Sequence, residues 1–386
     1  MNIAIDAREA AGRPTGVGRY LANLLSAWGR ATSPAQHGFT LYGDERSARV
    51  FSTPVRDFPV SRLRRWPELI PGRDTLWQQI TLPRQLRRRP PDVFFSPAYS
   101  LPYRLPCPAV VAVHDISFEA HPEWFPRRQA MRRKYTCRRA CGLARLVLTC
   151  SEFSRSELIS RYRLPPELVV SVPLAADPRF RPEENPAAEL RLRREHGIRG
   201  RIILHAGTIL NRRMIPLLLE AFAQVLKADP GLTLVFAGEN RSWPAIDLFS
   251  LAAAFGVEDR IAVPGYVSDR DLAALYNASA LTVYLSEYEG FGLPPLEALA
   301  SGCPVVTSDN KALKEHFHGL ARLHHGREPG ALAQTILDVL ALSADEPWSA
   351  RLARSRLAAD RFSWDRTADQ TLSLIHRAAG GGEQER

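Results

Sequence analysis

Apolar residues in this chain fall into short unbroken runs, separated by longer stretches in which they recur every three or four positions. The first run, NIAID at residues 2–6, reads as a short buried strand, and GVGRYLANLLSAWG at 16–29 reads as an amphipathic helix entered through a glycine turn. Further runs, DVFFSP, AVVAVH and ARLVLTC, alternate with helical spacing near residues 74–88, 126–141 and 152–161. The second half repeats the rhythm with strands RIILHAG, LTLVFAG, RIAVPG, LTVYLS and CPVVTS, each followed by a helix of ordinary length. Alternation of this kind predicts an α/β protein with parallel sheets covered by helices on both faces. VPLAADPRFRPEENPAAEL, rich in proline and charge, begins no convincing helix before residue 186 and predicts a linker near 174–198. The glycine-rich tail AAGGGEQER reads as frayed.

Length supports the division, since 386 residues exceed one ordinary core and favour two domains. A hydrophobic content of 45% is that of a globular chain. No run approaches the roughly 20 apolar residues that span a bilayer, and no leading segment reads as a signal peptide, so the expectation is a soluble cytoplasmic protein. Five cysteines (Cys107, Cys137, Cys141, Cys150, Cys303) are scattered without the paired spacing of a zinc site. Cys137 and Cys141, four apart, read as one packed helix face.

Charge adds an asymmetry. The net +10 is concentrated in residues 1–180, which hold 28 basic against 15 acidic side chains, while the remainder is slightly acidic. The basic clusters are RLRRWPELIPGR (Arg62, Arg64, Arg65, Trp66, Arg73), RQLRRR (Arg84, Arg87, Arg88, Arg89) and RRQAMRRKYTCRR (127–139). They are either solvated faces or a means of meeting an anionic membrane surface, with Trp66 as an interfacial anchor. No nucleic-acid module or stacking pattern accompanies them, which argues against nucleic acid as a partner.

Candidate chemistry concentrates in SEYEGFGLPPLEALASGCPVV, residues 286–306. The strand LTVYLS leads into the turn EYEGFGL, and PPLEALASG reads as a helix begun by Pro294 or Pro295 and stopped by Gly302. Ligands of open α/β sheets bind at this edge, where glycines admit close backbone approach and a helix amino end offers unpaired N–H groups to an anion. Glu297, placed in the first helical turn and partly exposed, either complements the helix dipole or accepts hydrogen bonds from a vicinal diol. Glu289, on the turn, is either a solvated loop acid or a group facing what lies beyond the phosphates.

Glu, seven residues, Glu across EGFGLPPLE resembles the signature of retaining GT-B glycosyltransferases of family 4. GTILNRRMIPLLLEAFA, LVFAGEN, PGYVSDRDLAALYNASAL and SGCPVVTSD resemble further segments of that family. In the first half GRPTGVGRY, VHDISFEAHPEWF and LTCSEFSRSEL match it in the same order. The resemblance implies two Rossmann-like domains facing a cleft: an acceptor domain at 1–175 completed by a returning helix at 363–380 with Ser363 as N-cap, and a nucleotide-sugar domain at 185–362. It implies that Glu297 binds the ribose and Glu289 the donor sugar, with backbone N–H groups around Phe291, Gly292 and Leu293 on the sugar and diphosphate. Arg212 and Arg213 are implied to neutralise the diphosphate; Arg213 stands where the family usually has lysine, and Met214 where it has asparagine. Gly16 and Gly18 are implied to approach the β-phosphate, and His114 to touch the donor sugar or organise the acceptor.

The activity implied by the resemblance is transfer of a sugar from a nucleotide diphosphate sugar, GDP-mannose or similar, to a glycan or lipid-linked acceptor with retention, in bacterial surface polysaccharide or lipopolysaccharide synthesis. His114, Glu289 and Arg213 carry the catalytic roles. Without an Asp-x-Asp motif the expectation is no metal and no cofactor, and the expected location is the cytoplasm or the inner face of the cytoplasmic membrane. Two alternatives stand beside it: a nucleotide-sugar epimerase or hydrolase of the same fold, and a two-lobed solute-binding module, which would need an export signal.

Overall fold

The computed structural model describes residues 1–10, 16–31, 37–43, 60–64 and 74–380. The chain divides into two units, one comprising Met1–Ala120, Arg127–Leu174 and Ser363–Arg386, the other His121–Pro126 and Ala175–Phe362. Residues 121–126 and 175–184, expected in the first domain and the linker, group with the second unit.

In the first unit seven strands form one parallel sheet: β1 (Asn2–Asp6), β2 (Gly38–Tyr42), β3 (Val60–Arg64), β4 (Val93–Ser96), β5 (Ala109–Ala112), β6 (Leu146–Thr149) and β7 (Val169–Ser171), in the order β3-β2-β1-β4-β5-β6-β7. β4, β5 and β6 are buried at every position, which is why they read as unbroken apolar runs. Among the described residues the helices of seven or more residues in this unit are α1 (Gly16–Ala31), α2 (Leu82–Arg88), α3 (Arg127–Leu143), α4 (Glu152–Tyr162) and, at the far end of the chain, α13 (Trp364–Ala379). α13 packs beside α1: Trp28 Nε1 donates to the Ala368 carbonyl at 2.9 Å, and Thr367 Oγ1 to that of Pro173 at 2.7 Å. Ser363 stands at its N-cap, without a side-chain capping bond.

The second unit holds six parallel strands, β8 (Arg201–Ala206), β9 (Leu232–Ala237), β10 (Ile261–Gly265), β11 (Ser279–Tyr284), β12 (Val305–Ser308) and β13 (Arg322–His324), ordered β10-β9-β8-β11-β12-β13. Its helices are α5 (Pro186–His196), α6 (Ile215–Ala228), α7 (Leu248–Ala254), α8 (Asp269–Ala278), α9 (Leu293–Ala300), α10 (Lys311–Phe317), α11 (Pro329–Leu342) and α12 (Trp348–Arg361). α5 occupies much of the expected linker, begun by Asn185, whose side chain accepts from the Ala188 amide, and ended by left-handed Gly197. One apolar core joins α6, α7 and α11 to β8, β9 and β11 through Phe222, Leu248, Ile336, Ile203, Leu234 and Leu281.

Both sheets have doubly wound order. The strand order reverses between β1 and β4 in one, and between β8 and β11 in the other. Chain leaving the carboxyl ends of such a strand pair diverges to opposite faces of the sheet, and the crevice so opened is where ligands bind.

Candidate active site

In the second unit the two segments leaving that crevice are residues 207–214, after β8, and 285–292, after β11. Each brings charge. Arg213 and Glu289 are both about 5% exposed; Arg213 Nη1 donates to Glu289 Oε1, and Arg212 Nε lies 3.5 Å from the same oxygen. Ser286 Oγ donates to Oε1 at 2.7 Å, and the Glu287 amide donates to the Arg212 carbonyl at 2.9 Å. Glu289 is therefore no solvated loop acid: two guanidiniums and a hydroxyl replace the water it gave up. The Arg213 guanidinium also covers the Tyr284 ring, 4.3 Å from its centroid, and its Nε has no acceptor among the described residues.

Behind this cluster His205, fully buried on β8, stacks on Tyr284 at 6.2 Å and hydrogen-bonds the Val283 carbonyl through Nδ1 at 3.2 Å. A carbonyl only accepts, so the proton sits on Nδ1, and Nε2 has no partner among the described residues. Burial, and then the Arg213 charge, push the His205 pKa down to about 3, which keeps the ring neutral beside the arginine.

The helix after Glu289 starts earlier than expected. Gly292 is its N-cap, at φ 109°, and α9 begins at Leu293 with both prolines inside its first turn. Only glycine fits at 292, because a Cβ would lie 2.7 Å from Leu313 Cδ2 and 2.9 Å from Phe317 Cε2. Glu297 is thus the fifth helical residue rather than a first-turn acid, and at 2% exposure it is buried rather than partly exposed. Tyr276, from α8, donates its hydroxyl to Glu297 Oε2 at 3.2 Å. Phe291 is buried against the rings of His316, at 4.3 Å, and Phe362, at 5.5 Å, so only its backbone is left to serve a ligand.

Residues 189–351 match the family described as glycosyl transferases group 1, and residues 14–180 match glycosyltransferase family 4. O-antigen chain mannosyltransferase B of Escherichia coli is 33% identical over 285 residues, 73% of each chain. This chain belongs to the family 4 glycosyltransferases. Its fold is GT-B. The Anabaena HepE protein in complex with UDP-glucose superposes with a TM-score of 0.73 at 19% identity, covering 97% of this chain and 99% of its own. WaaG, a glycosyltransferase involved in lipopolysaccharide biosynthesis, superposes with a TM-score of 0.68 at 17% identity, covering 98% of this chain and 100% of its own.

The remaining candidates of this glycosyltransferase lie in its first unit. Gly16 and Gly18 are the first and third residues of α1, Gly16 exposed and Gly18 buried; a Cβ at 16 would meet nothing within 4 Å. His114 follows β5, half-buried, with the edge of Tyr20 at 4.8 Å. Its Nε2 bonds the Pro97 carbonyl at 3.0 Å and must be the donor, which leaves Nδ1 as the acceptor. Its backbone carbonyl accepts from Ser154 Oγ at 3.2 Å, and burial lowers the pKa of the ring.

Sequence reasoning missed Ser286, Tyr276, Tyr284 and His205. His205 and Tyr284 sit inside strands, where they read as core, and nothing in their spacing announces the arginine stacked over Tyr284. Met214, which the sequence leaves unexplained, is the N-cap of α6, in left-handed conformation at φ 53°, a region that asparagine tolerates better than methionine.

Proposed function

We propose that this family 4 glycosyltransferase moves mannose, or a closely similar hexose, from its nucleoside diphosphate donor to a glycan or lipid-linked acceptor with retention, in assembly of a bacterial surface polysaccharide. The observation that carries the reading is the arginine pair, Arg213 buried and Arg212 partly so, held by Glu289 at the sheet's switch point beside the amino end of α9. The arginines and the helix amide groups would meet the diphosphate, Glu297 the ribose hydroxyls, and Glu289 the sugar, with Leu293 and Gly292 offering backbone N–H groups. His114 is assigned to a sugar hydroxyl, its free Nδ1 accepting that proton.

In the reaction the bond from the anomeric carbon to the diphosphate oxygen breaks, and a bond to the acceptor oxygen forms on the same face. The departing phosphate takes the acceptor's proton. Positive charge grows on the ring and negative charge on the leaving oxygen, so cations fixed beforehand at that oxygen lower the barrier. The arginines supply the charge that a divalent metal supplies elsewhere, and metal-independent transfer, undiminished by chelator, is part of the proposal. Thermal stabilisation across a panel of GDP, UDP, TDP and ADP sugars, followed by NMR of the product anomer, tests the reading. Stabilisation by a mannose donor and an α-linked product support it; no response to any nucleotide sugar, or a β-linked product, overturns it.

The same proposal places the enzyme in the cytoplasm, peripheral on the inner face of the membrane. α3 exposes Arg127, Arg128, Arg132, Met131 (70%) and Tyr135 (59%) together, and α2 exposes Arg84, Arg87 and Arg88. Arg65, Trp66 and Arg73 lie outside the described residues, as do the side chains of Arg62 and Arg64. Each juxtaposed cation contributes about 1 kcal/mol at an anionic surface. Recovery with anionic but not neutral vesicles, fading as salt shortens the Debye length from about 10 Å at 0.1 M to 3 Å at 1 M, supports it. Equal recovery with both lipids, or none with either, overturns it.

A further inference from the structure

Arg213 is held in the buried cluster by a bond at one corner of its guanidinium, Nη1 to Glu289 Oε1, while its Nε has no acceptor among the described residues. Arg212 Nε and the Ser286 hydroxyl reach the same oxygen. A bond at one corner of a planar cation fixes a point but not the plane. The contact that sets the plane is the Tyr284 ring, whose centroid lies 4.3 Å from the guanidinium carbon. A guanidinium seated over a ring keeps its N–H groups at its own edge, so the ring takes none of the donors that Glu289 or an anion would use.

The ring is itself tightly placed. Tyr284 is the last residue of β11, 1% exposed, and its carbonyl accepts from Thr307 Oγ1 of β12 at 2.8 Å. His205, on the neighbouring β8, stacks alongside it with an interplanar angle of 15°. Burial first, and then the Arg213 charge, lowers the His205 pKa, so this neighbour brings a ring and no opposing charge. Gly207, immediately after β8, adjoins both the ring and α9: a Cβ there would lie 3.9 Å from Tyr284 Cε2 and 3.2 Å from Cγ of Pro294, the second residue of that helix. Tyr284 therefore sits where the segment carrying the arginines meets the helix start, the two elements that the proposed function gives to the diphosphate. Core packing alone accounts for a buried ring. A buried cation over that ring, bonded at one corner and directed at a phosphate, gives the ring a second task.

We propose that Tyr284 is a positioning residue for the donor diphosphate: its ring face fixes the plane of Arg213, so that the guanidinium meets the phosphate oxygens with its N–H edge already aimed. The proposal deepens the donor-site reading above and rests on it. Fixing a long side chain beforehand removes an ordering cost from binding. Full-length protein with Tyr284 replaced by phenylalanine, difluorophenylalanine or pentafluorophenylalanine tests it, because fluorine drains the negative charge from the ring face at nearly constant shape. Calorimetry with GDP, UDP, TDP and ADP as probes gives the affinities, and melting temperatures report the packing separately. Tyr284→Phe should stay within about twofold of wild type, and affinity for whichever diphosphate binds should fall stepwise with fluorination, by about three- to tenfold at pentafluorophenylalanine. In an Arg213→Met background, which removes the cation, the same series should be flat. A flat series with Arg213 in place, or an equal slope in the Arg213→Met background, overturns the proposal and leaves Tyr284 as core packing. If no nucleoside diphosphate binds wild type, the donor-site reading fails, and this proposal with it.

Discussion

Glu289→Gln separates the structural and chemical roles of the arginine cluster. The change preserves volume and an oxygen for the Ser286 hydroxyl but removes the negative charge between two guanidiniums. With Arg213 and Glu289 both about 5% exposed, solvent cannot replace that charge. Breaking a buried pair from one side costs about 3–5 kcal/mol, and the retained amide oxygen brings the expectation to roughly 2–4 kcal/mol. In a unit of this size each kcal/mol lowers the melting temperature by about 2–4 °C, so calorimetry should show a fall of roughly 5–15 °C. A nucleoside diphosphate brings anionic oxygens to the same cations, so its affinity in the variant should equal or exceed that of wild type. Sugar transfer should fall by about a hundredfold or more, because the donor sugar loses its carboxylate. An unchanged melting temperature would refute the reasoning that Glu289 neutralises the buried arginine, and nucleotide affinity weakened tenfold would refute the reasoning that the diphosphate takes over that role.

Four further outcomes are expected. Glu297→Gln should weaken nucleoside diphosphate binding about tenfold by calorimetry while changing stability by less than about 1 kcal/mol, since Tyr276 can still donate to the amide oxygen. Unchanged affinity would remove the ribose role. His114→Ala should lower transfer while binding of the bare nucleotide persists; wild-type turnover would make His114 a structural residue only. Met214→Asn should raise stability by roughly 1 kcal/mol, through relief of left-handed backbone strain and a new capping side chain, and denaturant unfolding would show a higher midpoint. His205 has its pKa held near 3, below the usual 6.5, so its contribution is full above pH 6.5 and is lost as pH falls toward 3, by about 1.4 kcal/mol per pH unit. His205→Phe should flatten stability against pH between 6.5 and 5 by that slope, and an unchanged slope would contradict the burial argument.

The sequence is most legible where strands are buried on both faces. RIILHAG, LTLVFAG, LTVYLS and CPVVTS each mark a strand of the second sheet, because a strand covered on both faces takes mostly apolar side chains. β13 is not legible: Arg322–His324 is a three-residue edge strand with an exposed arginine, and it carries no apolar run. β7 is only three residues long and follows a proline turn. At the site, chain order reveals the carboxylates, the arginines and the glycine turn, but not their burial. Arg213 and Glu289 are 76 positions apart, and their mutual neutralisation, which lets both leave water, exists only once β8 and β11 are neighbours. The start of α9 differs from the expectation because a glycine in left-handed conformation can cap a helix, which moves Glu297 out of the first turn.

In the proposed function the crevice between β8 and β11 binds a nucleoside diphosphate sugar through Arg212, Arg213 and Glu297. A crystal structure of the protein grown with GDP-mannose, or with whichever nucleotide sugar stabilises it most, tests this directly. The diphosphate is expected against both guanidiniums and the amino end of α9, with the ribose hydroxyls on the Glu297 carboxylate. A nucleotide seated elsewhere, or a ribose distant from Glu297 while Arg212 and Arg213 remain engaged with Glu289 alone, would contradict it.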